Sequence, residues 1–276
     1  TLTQAYANTG EHTFTPDWSG LPSGQTWTYS SAYSVSSGST AALTTNHVSA
    51  DGKLTYAIAG GKAGDTVTIT LKAQCGNYED FTTTLRVTLV EKSDQAAVRV
   101  TGGTTVVYGQ TLQLGFSGGS GTGKVSYTVV NGTGEATIDA NGLLTPVKVG
   151  SVTVTVTKEG DSDYNAAASA PVEITITKAT PTGEPKYTEI KTGGKTLDDA
   201  ALTLIGSTIS LNNGETVSLA DGKLEWIDEE GNVLSGSTRV EANKTYKWRF
   251  TPTNANYTVL EGETQLYSGS SGGDRY

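Results

Sequence analysis

Cysteine, methionine and long apolar runs are almost missing from this sequence of 276 residues. The chain has one Cys and no Met, so no disulfide can form within it. No apolar run approaches the roughly 18 residues that a membrane-spanning helix needs. The sequence also begins without Met and without the basic and apolar regions of a secretion signal. We therefore expect a fragment of a longer protein, with no membrane span in this fragment.

Basic residues are scarce. The chain has 19 Lys and Arg against 28 Asp and Glu, a net charge of −9 and a pI near 4.8. An acidic surface repels phosphate backbones, which argues against a nucleic-acid partner. The two histidines, His12 and His47, confine any histidine-dependent chemistry to the first third of the chain.

Threonine and glycine are abundant, with 46 and 34 residues. Threonine is β-branched and fits the pleated, half-buried surface of a sheet. A helical bundle would instead be rich in Ala, Leu, Glu, Lys and Met. The composition therefore favours an all-β protein.

An internal repeat runs through the chain. Each copy has a segment of alternating residues, a tyrosine in an Asn- or Asp-rich turn, and a further strand. The three copies are 66–71, Tyr78 and 84–89; 152–157, Tyr164 and 172–177; and 245–250, Tyr257 and 263–267. Alternation predicts strands with one buried face, with Tyr246, Trp248 and Phe250 pointing inward in the third copy. We predict that the three repeated tyrosines are mostly buried at equivalent places, each hydroxyl bonded to the backbone as in a tyrosine corner.

Turn signals divide the chain into short strands. Asp51-Gly52, Asn141-Gly142 and Asp221-Gly222 supply the positive φ that tight β-turns need. Only 197–204 is helix-like, for about two turns. We predict an all-β chain of three tandem antiparallel β-sandwich domains over 1–92, 93–179 and 180–267, followed by a flexible tail over 268–276. The linkers are short and the second carries Pro181 and Pro185, so we expect an elongated rod.

Part of the middle segment resembles a known family. The stretches Val106-Val107-Tyr108-Gly109-Gln110-Thr111-Leu112, 136–145 and 149–156 resemble the group 2 bacterial immunoglobulin-like domain of invasin- and intimin-type stalks. They are also similar to tandem modules in surface proteins of Gram-positive gut bacteria. The resemblance extends over 105–178, which is most of the middle domain. In 1–92 and 180–267 only the late strands and the tyrosine turn carry it.

The resemblance implies a non-catalytic spacer or adhesion stalk. It implies an extracellular protein at the cell surface or cell wall, with host or dietary glycans or surface proteins as partners. No cofactor and no catalytic residue come with it. We expect a monomer.

Two glycine-rich motifs suggest catalysis, but the residues around them do not fit a catalytic site. Gly115-Phe116-Ser117-Gly118-Gly119 fits a hydrolase elbow, but no helix follows and residues 93–276 contain no His. The spacing from Gly118 to Lys124 fits a phosphate loop, but Val125 stands where Ser or Thr is needed. Cys75 has only Lys72 as a basic neighbour in sequence, so nothing indicates a lowered thiol pKa. We predict that the chain is not an enzyme.

Calcium binding and isopeptide cross-links remain open. Asp161, Asp163 and Asn165 are spaced like the start of a calcium loop, although the later Gly and Glu of that loop are missing. The alternative is an Asx-type turn that holds Tyr164. An isopeptide bond in the first domain would need a lysine, and the first one is Lys53.

A second hypothesis is a carbohydrate-binding module in the first domain. Its candidate residues are Trp18, Trp27, Tyr29 and Tyr33. Trp27 and Tyr29 would share one face of a strand, where exposed rings could stack on sugars. The alternative is that these side chains belong to the core.

Overall fold

The computed structural model describes residues 1–212 and 214–269. Strands dominate, and the helical content of these described residues is two short 3-10 turns, Leu197–Ala200 and Leu219–Asp221. The helix-like stretch 197–204 thus forms a single turn. From residue 270 onward, the tail expected over 268–276 lies outside the described residues. No helix within 1–212 and 214–269 has the length and hydrophobicity that a membrane crossing requires.

The described chain forms two compact units. The first contains Thr1–Arg99, Phe116–Ser126 and Val156–Ala170. The second contains Val100–Gly115, Tyr127–Thr155 and the chain from Pro171 onward. The domain division at 92, 93, 179 and 180 stays a prediction.

The first sandwich has seven strands. They are β1 (Leu2–Ala5), β2 (His12–Phe14), β3 (Thr28–Val35), β4 (Ala42–Val48), β5 (Leu54–Ala59), β6 (Thr66–Gln74) and β7 (Phe81–Val90). One sheet has the order β1-β7-β6-β3 and the other β2-β5-β4. Alternation in β6 buries Val67, Ile69 and Leu71 completely between the sheets, while the threonines between them are half-buried.

The second sandwich uses ten strands, several of them short. They are β8 (Arg99–Thr101), β9 (Thr105–Val107), β10 (Leu112–Gln113), β11 (Gly115–Ser117), β12 (Val125–Asn131), β13 (Glu135–Ile138), β14 (Leu143–Lys148), β15 (Gly150–Lys158), β16 (Ala167–Ala168) and β17 (Val172–Thr177). Its main sheets have the orders β12-β15-β17-β9 and β10-β14-β13. Val152, Val154, Ile174 and Ile176 form the centre of its core.

The third region has one regular sheet. It contains β18 (Gly222–Ile227), β19 (Thr245–Pro252) and β20 (Leu260–Gln265), in that order. Tyr246, Trp248 and Phe250 of β19 are buried, as their alternation predicts. The segments packed around this sheet contribute isolated bridges, such as Thr196 with Arg239, rather than further long strands.

All three regions begin and end in the same way. An early residue pairs in parallel with the last strand or its extension: Leu2 with Val87, Thr105 with Thr175, and Ile190 with Tyr267. In the first two regions the remaining strands repeat the same order across two sheets. This layout is that of an immunoglobulin-like sandwich, so the chain is a tandem array of such folds.

Candidate functional site

The segments that lead into the second and third regions are each held by the turn that carries the repeated tyrosine. We call each such turn a clamp. The first clamp is Asp163-Tyr164-Asn165 and the second is Asn256-Tyr257-Thr258. The first lies within the first compact unit and the second within the second unit.

The first clamp binds Ser93 through two backbone hydrogen bonds. The Ser93 N–H donates to the Asp163 carbonyl at 2.9 Å, and the Asn165 N–H donates to the Ser93 carbonyl at 2.9 Å. Ser93 therefore forms a parallel bridge with Tyr164. Backbone donors and acceptors set this contact, so it makes little demand on the side chain of Ser93.

The second clamp binds Ala179 with the same pattern. The Ala179 N–H donates to the Asn256 carbonyl at 3.1 Å, and the Thr258 N–H donates to the Ala179 carbonyl at 2.8 Å. Ala179 is 1% exposed and bridges Tyr257 in parallel. The linker residue thus takes the same place in both clamps, between the residues before and after the tyrosine.

The side chain that precedes each tyrosine extends the clamp to the preceding sandwich. The Asn8 amide donates to both carboxylate oxygens of Asp163, at 2.9 and 3.1 Å. The Val149 N–H donates to the side-chain oxygen of Asn256 at 2.8 Å. Asn8 belongs to the first sandwich and Val149 to the second. Each clamp therefore joins three parts: the linker, the sandwich that it leaves and the one that it enters.

Gln95 secures the first linker beyond Ser93. Its amide donates to the carbonyls of Glu159, at 3.0 Å, and Asn165, at 2.8 Å. Its side-chain oxygen accepts the Ser120 N–H at 3.0 Å. One glutamine thus satisfies backbone groups from two loops of the sandwich that it enters.

The glycine-rich loop over 118–123 packs against this linker. The Gly119 N–H donates to the Ala96 carbonyl at 3.1 Å. Gly118 has φ +81°, and a Cβ there would collide with the carbonyl oxygen of Ala97. A Cβ at Gly121 would collide with the carboxylate of Asp161. The glycines therefore allow the loop to pack closely on the linker. This packing explains the glycine-rich motif without any need for a bound phosphate.

The second clamp also carries an aromatic contact. The ring of Tyr257 meets that of Tyr108 edge to face, with centroids 5.4 Å apart. Its hydroxyl donates to the Leu211 carbonyl at 2.8 Å, which is the backbone partner that the repeat predicts. Burial, followed by the neighbouring Tyr108, raises the pKa of Tyr257. The phenol therefore stays neutral and keeps its donor at physiological pH.

The prediction that all three tyrosines are buried is wrong for Tyr78. Its side chain is 44% exposed, while Tyr164 and Tyr257 are half-buried. Tyr78 lies against Trp27, with ring centroids 5.8 Å apart. In the other two turns a linker bridges the tyrosine, whereas within the described residues no linker reaches Tyr78. Nor does any hydrogen bond in this part of the chain reach the hydroxyls of Tyr78 and Tyr164.

The calcium candidates instead form a hydrogen-bonded turn. One oxygen of Asp161 accepts the N–H groups of Asp163 and Tyr164, at 2.8 and 2.9 Å. The other accepts the Thr122 N–H at 2.8 Å. These bonds, that of Thr122 first, lower the pKa of Asp161. Asn165 donates its amide to Asp94. Within the described part of the chain, no group of three His, Cys, Asp or Glu residues is placed to hold a metal ion.

The four carbohydrate candidates do not form one platform. Trp18 packs on Tyr29 at 5.2 Å between centroids and donates its indole N–H to Gly52. Trp27 packs on Tyr78 and precedes β3 rather than lying in it. Tyr33, 42% exposed, lies further along β3. Among the described residues, no ring contact joins Trp27 to Tyr29.

The remaining motif residues lie in ordinary strand and turn positions. Ser117 ends strand β11, and Lys124 directly precedes β12, so neither opens a helix. Cys75 is a half-buried free thiol in the turn before Tyr78. Its sulfur lies 4.0 Å from the side-chain oxygen of Gln25.

Asn8, Gln95 and Val149 make hydrogen bonds to the clamps that the sequence does not predict. Each acts through a partner that is distant in the sequence, such as Asp163 for Asn8, and no local pattern marks such pairs. One signal was present in the sequence: an Asn or Asp directly precedes every repeated tyrosine. That signal marks the clamp itself but not its partners.

Comparison with known proteins finds solved structures of low sequence identity and low TM-score. No protein-family model matches the chain, and no curated protein matches it either. Similar solved structures include the Escherichia coli adhesin FdeC, with 16% identity, a TM-score of 0.27, and 86% of this chain and 85% of that chain covered. Human CDH23 EC21-23 has 14% identity, a TM-score of 0.28, and coverage of 87% and 88%. The insect immune protein hemolin has 12% identity, a TM-score of 0.31, and coverage of 97% and 73%. The fold assignment rests on the sheets and pairings above.

Proposed function

We propose that this chain is a non-catalytic spacer or adhesion stalk of a bacterial cell-surface protein. The observation that carries the proposal is the clamp that recurs at both junctions with the same backbone pattern. From the sequence resemblance we also propose that the protein is extracellular and attached to the cell wall. On the same ground we propose that its sandwiches belong to the group 2 bacterial immunoglobulin-like domains.

The clamps give a junction that a spacer needs. Neighbouring domains move relative to each other by default unless their interface restrains them. Here backbone bonds fix Ser93 and Ala179, and side-chain bonds through Asp163 and Asn256 add a second attachment. Such a junction limits hinge motion through a few hydrogen bonds, and it accepts either of two small residues, serine or alanine, at the linker position.

Binding of glycans by the first sandwich stays a prediction. Its four aromatic residues are divided between separate contacts, so no specific observation favours a sugar platform over packing. We propose host or dietary glycans or surface proteins as the partners of the stalk.

Small-angle X-ray scattering of the full chain tests the proposal. A compact globule of 276 residues would have a radius of gyration of roughly 19 Å. We expect about one and a half times that value or more, because short linkers, with two prolines in the second, favour an elongated rod. A radius of gyration close to that of the compact globule would refute the stalk.

A matched variant separates the clamps from linker length. Ser93→Pro with Ala179→Pro removes both linker N–H donors and leaves the chain length unchanged. We expect a broader distribution of interatomic distances for this variant. An unchanged distribution would show that the clamps do not set the arrangement.

A further inference from the structure

The first sandwich carries the same tyrosine turn without an occupant among the described residues. Asn77-Tyr78-Glu79 corresponds to the two clamps by its place before the last strand. Near its end, each region has a residue that pairs in parallel with the start of that region. The tyrosine lies nearly the same number of positions before this residue in all three copies. These pairs of tyrosine and later residue are Tyr78 and Val87, Tyr164 and Thr175, and Tyr257 and Tyr267.

Among the described residues, the backbone groups that would bind a linker are unpaired in the turn of the first sandwich. In the filled clamps, the carbonyl before the tyrosine accepts a bond and the N–H after it donates one. The Tyr78 N–H is bonded within the turn, to the Cys75 carbonyl. In contrast, no hydrogen bond within residues 1–212 and 214–269 uses the Asn77 carbonyl or the Glu79 N–H. Both residues are exposed.

We propose that Asn77-Tyr78-Glu79 is an open clamp for an extended segment that leads out of a preceding β-sandwich domain. This inference rests on the proposed function as a spacer and extends it to a further partner of the array. The two filled clamps define the chemistry of the occupant. It is an extended backbone with a small residue at the centre, as Ser93 and Ala179 are, directly after a lysine in both linkers.

The spacing within the chain places the occupant. Ser93 precedes Thr105, the residue that pairs with the last strand of its sandwich. In the third region Ile190 has the same role as Thr105. The separation from Ala179 to Ile190 is one position shorter than that from Ser93 to Thr105. Leu2 is the corresponding residue of the first sandwich. We therefore expect the central residue of the occupant to lie as many positions before Leu2, in a chain continuous with it, as Ser93 lies before Thr105.

An N-terminal extension tests the open clamp in the full chain. The extension is a copy of residues 92–103 fused before Thr1. It places the copied serine as far ahead of Leu2 as Ser93 lies ahead of Thr105 in the second sandwich. Amide hydrogen exchange is measured at Glu79. We expect its exchange to slow at least about fivefold, since the copied carbonyl would accept this N–H.

The matched control is the same extension with proline in place of the copied serine. It lacks the N–H that would donate to the Asn77 carbonyl, so we expect exchange at Glu79 to return toward the rate of the unextended chain. Unchanged exchange with the serine extension would overturn the proposal, and so would equal protection by the proline extension. Neither result would alter the scattering of the unextended chain, so the stalk and the open clamp can fail separately.

Discussion

Asp163 and Asn256 stand directly before a tyrosine, and both bond to the preceding sandwich through the side chain. They do so differently, because Asp163 accepts from an amide side chain and Asn256 from a backbone N–H. An Asn or Asp suits both tasks, since its short side chain also stabilises the turn itself. At Asp163 the bond is charge-assisted, which makes it the stronger of the two types.

We expect Asn8→Asp to weaken the first clamp. It replaces an amide donor with a carboxylate that faces the carboxylate of Asp163. We expect a loss of about 1–2 kcal/mol in the free energy of unfolding, because the site is only partly buried. Urea unfolding at pH 7 measures it.

The charge-swapped double variant supplies the control. Asn8→Asp with Asp163→Asn restores one amide and one carboxylate at the same place, so most of the lost stability should return. Equal instability of the single and double variants would show that the bond between these side chains contributes nothing.

Asp161 should make the turn sensitive to acid. Its pKa lies below the ordinary value of 3.8, because N–H groups stabilise the carboxylate in the folded state. Its contribution to stability is therefore complete above that ordinary pKa and is lost as pH falls through the lower, folded pKa. Asp161→Asn keeps an acceptor but cannot titrate.

The measurement is urea unfolding of both proteins from pH 6 down to pH 2. We expect the stability difference between the parent chain and Asp161→Asn to shrink as the pH drops below about 4. The other carboxylates are common to both proteins and cancel in this difference. A difference that stays constant with pH would contradict the role of the charge.

At the scale of elements, the glycine-rich loop contacts the first linker beyond the clamp, at Ala96 and Ala97. Gly118→Ala brings two penalties: a positive φ of +81° and a collision with the Ala97 carbonyl. Gly38→Ala has only the first, because φ is +76° and nothing lies within 4 Å. We expect Gly38→Ala to cost about 1 kcal/mol and Gly118→Ala clearly more.

Thermal unfolding of the two variants separates these effects. If both lose the same stability, the loop does not pack on the linker as described. A larger loss for Gly118→Ala, with faster proteolysis around residues 91–97, would support the packing.

Alternating strands were predictable from sequence, and long-range pairs were not. In β19 the alternation of Tyr246, Trp248 and Phe250 with Lys247 and Arg249 set the buried face correctly. Such a pattern is local and depends only on the geometry of one strand. Tyr78 is exposed and, within the described residues, has no linker bridged to it, and no local pattern records such a distant neighbour. For the same reason, the sequence does not predict the hydrogen bond from Asn8 to Asp163.

At the scale of the whole molecule, one device accounts for both junctions and for the open turn of the first sandwich. Ser93 and Ala179 differ in side chain yet make the same two backbone bonds. Because backbone bonds carry the contact, the same turn serves each copy of the repeat while the core sequences diverge. A spacer built in this way can be lengthened by adding copies, without a new interface for each.

Two tyrosine turns are filled by linkers, and within residues 1–212 and 214–269 no linker fills the turn of Tyr78. Amide hydrogen exchange of the unmodified full chain tests this arrangement most directly at three equivalent positions, Asn165, Thr258 and Glu79. We predict slow exchange at Asn165 and Thr258, whose N–H groups donate to the linker carbonyls, and exchange near the unprotected rate at Glu79. Unprotected exchange at Asn165 and Thr258, or protection of Glu79 equal to theirs, would contradict it.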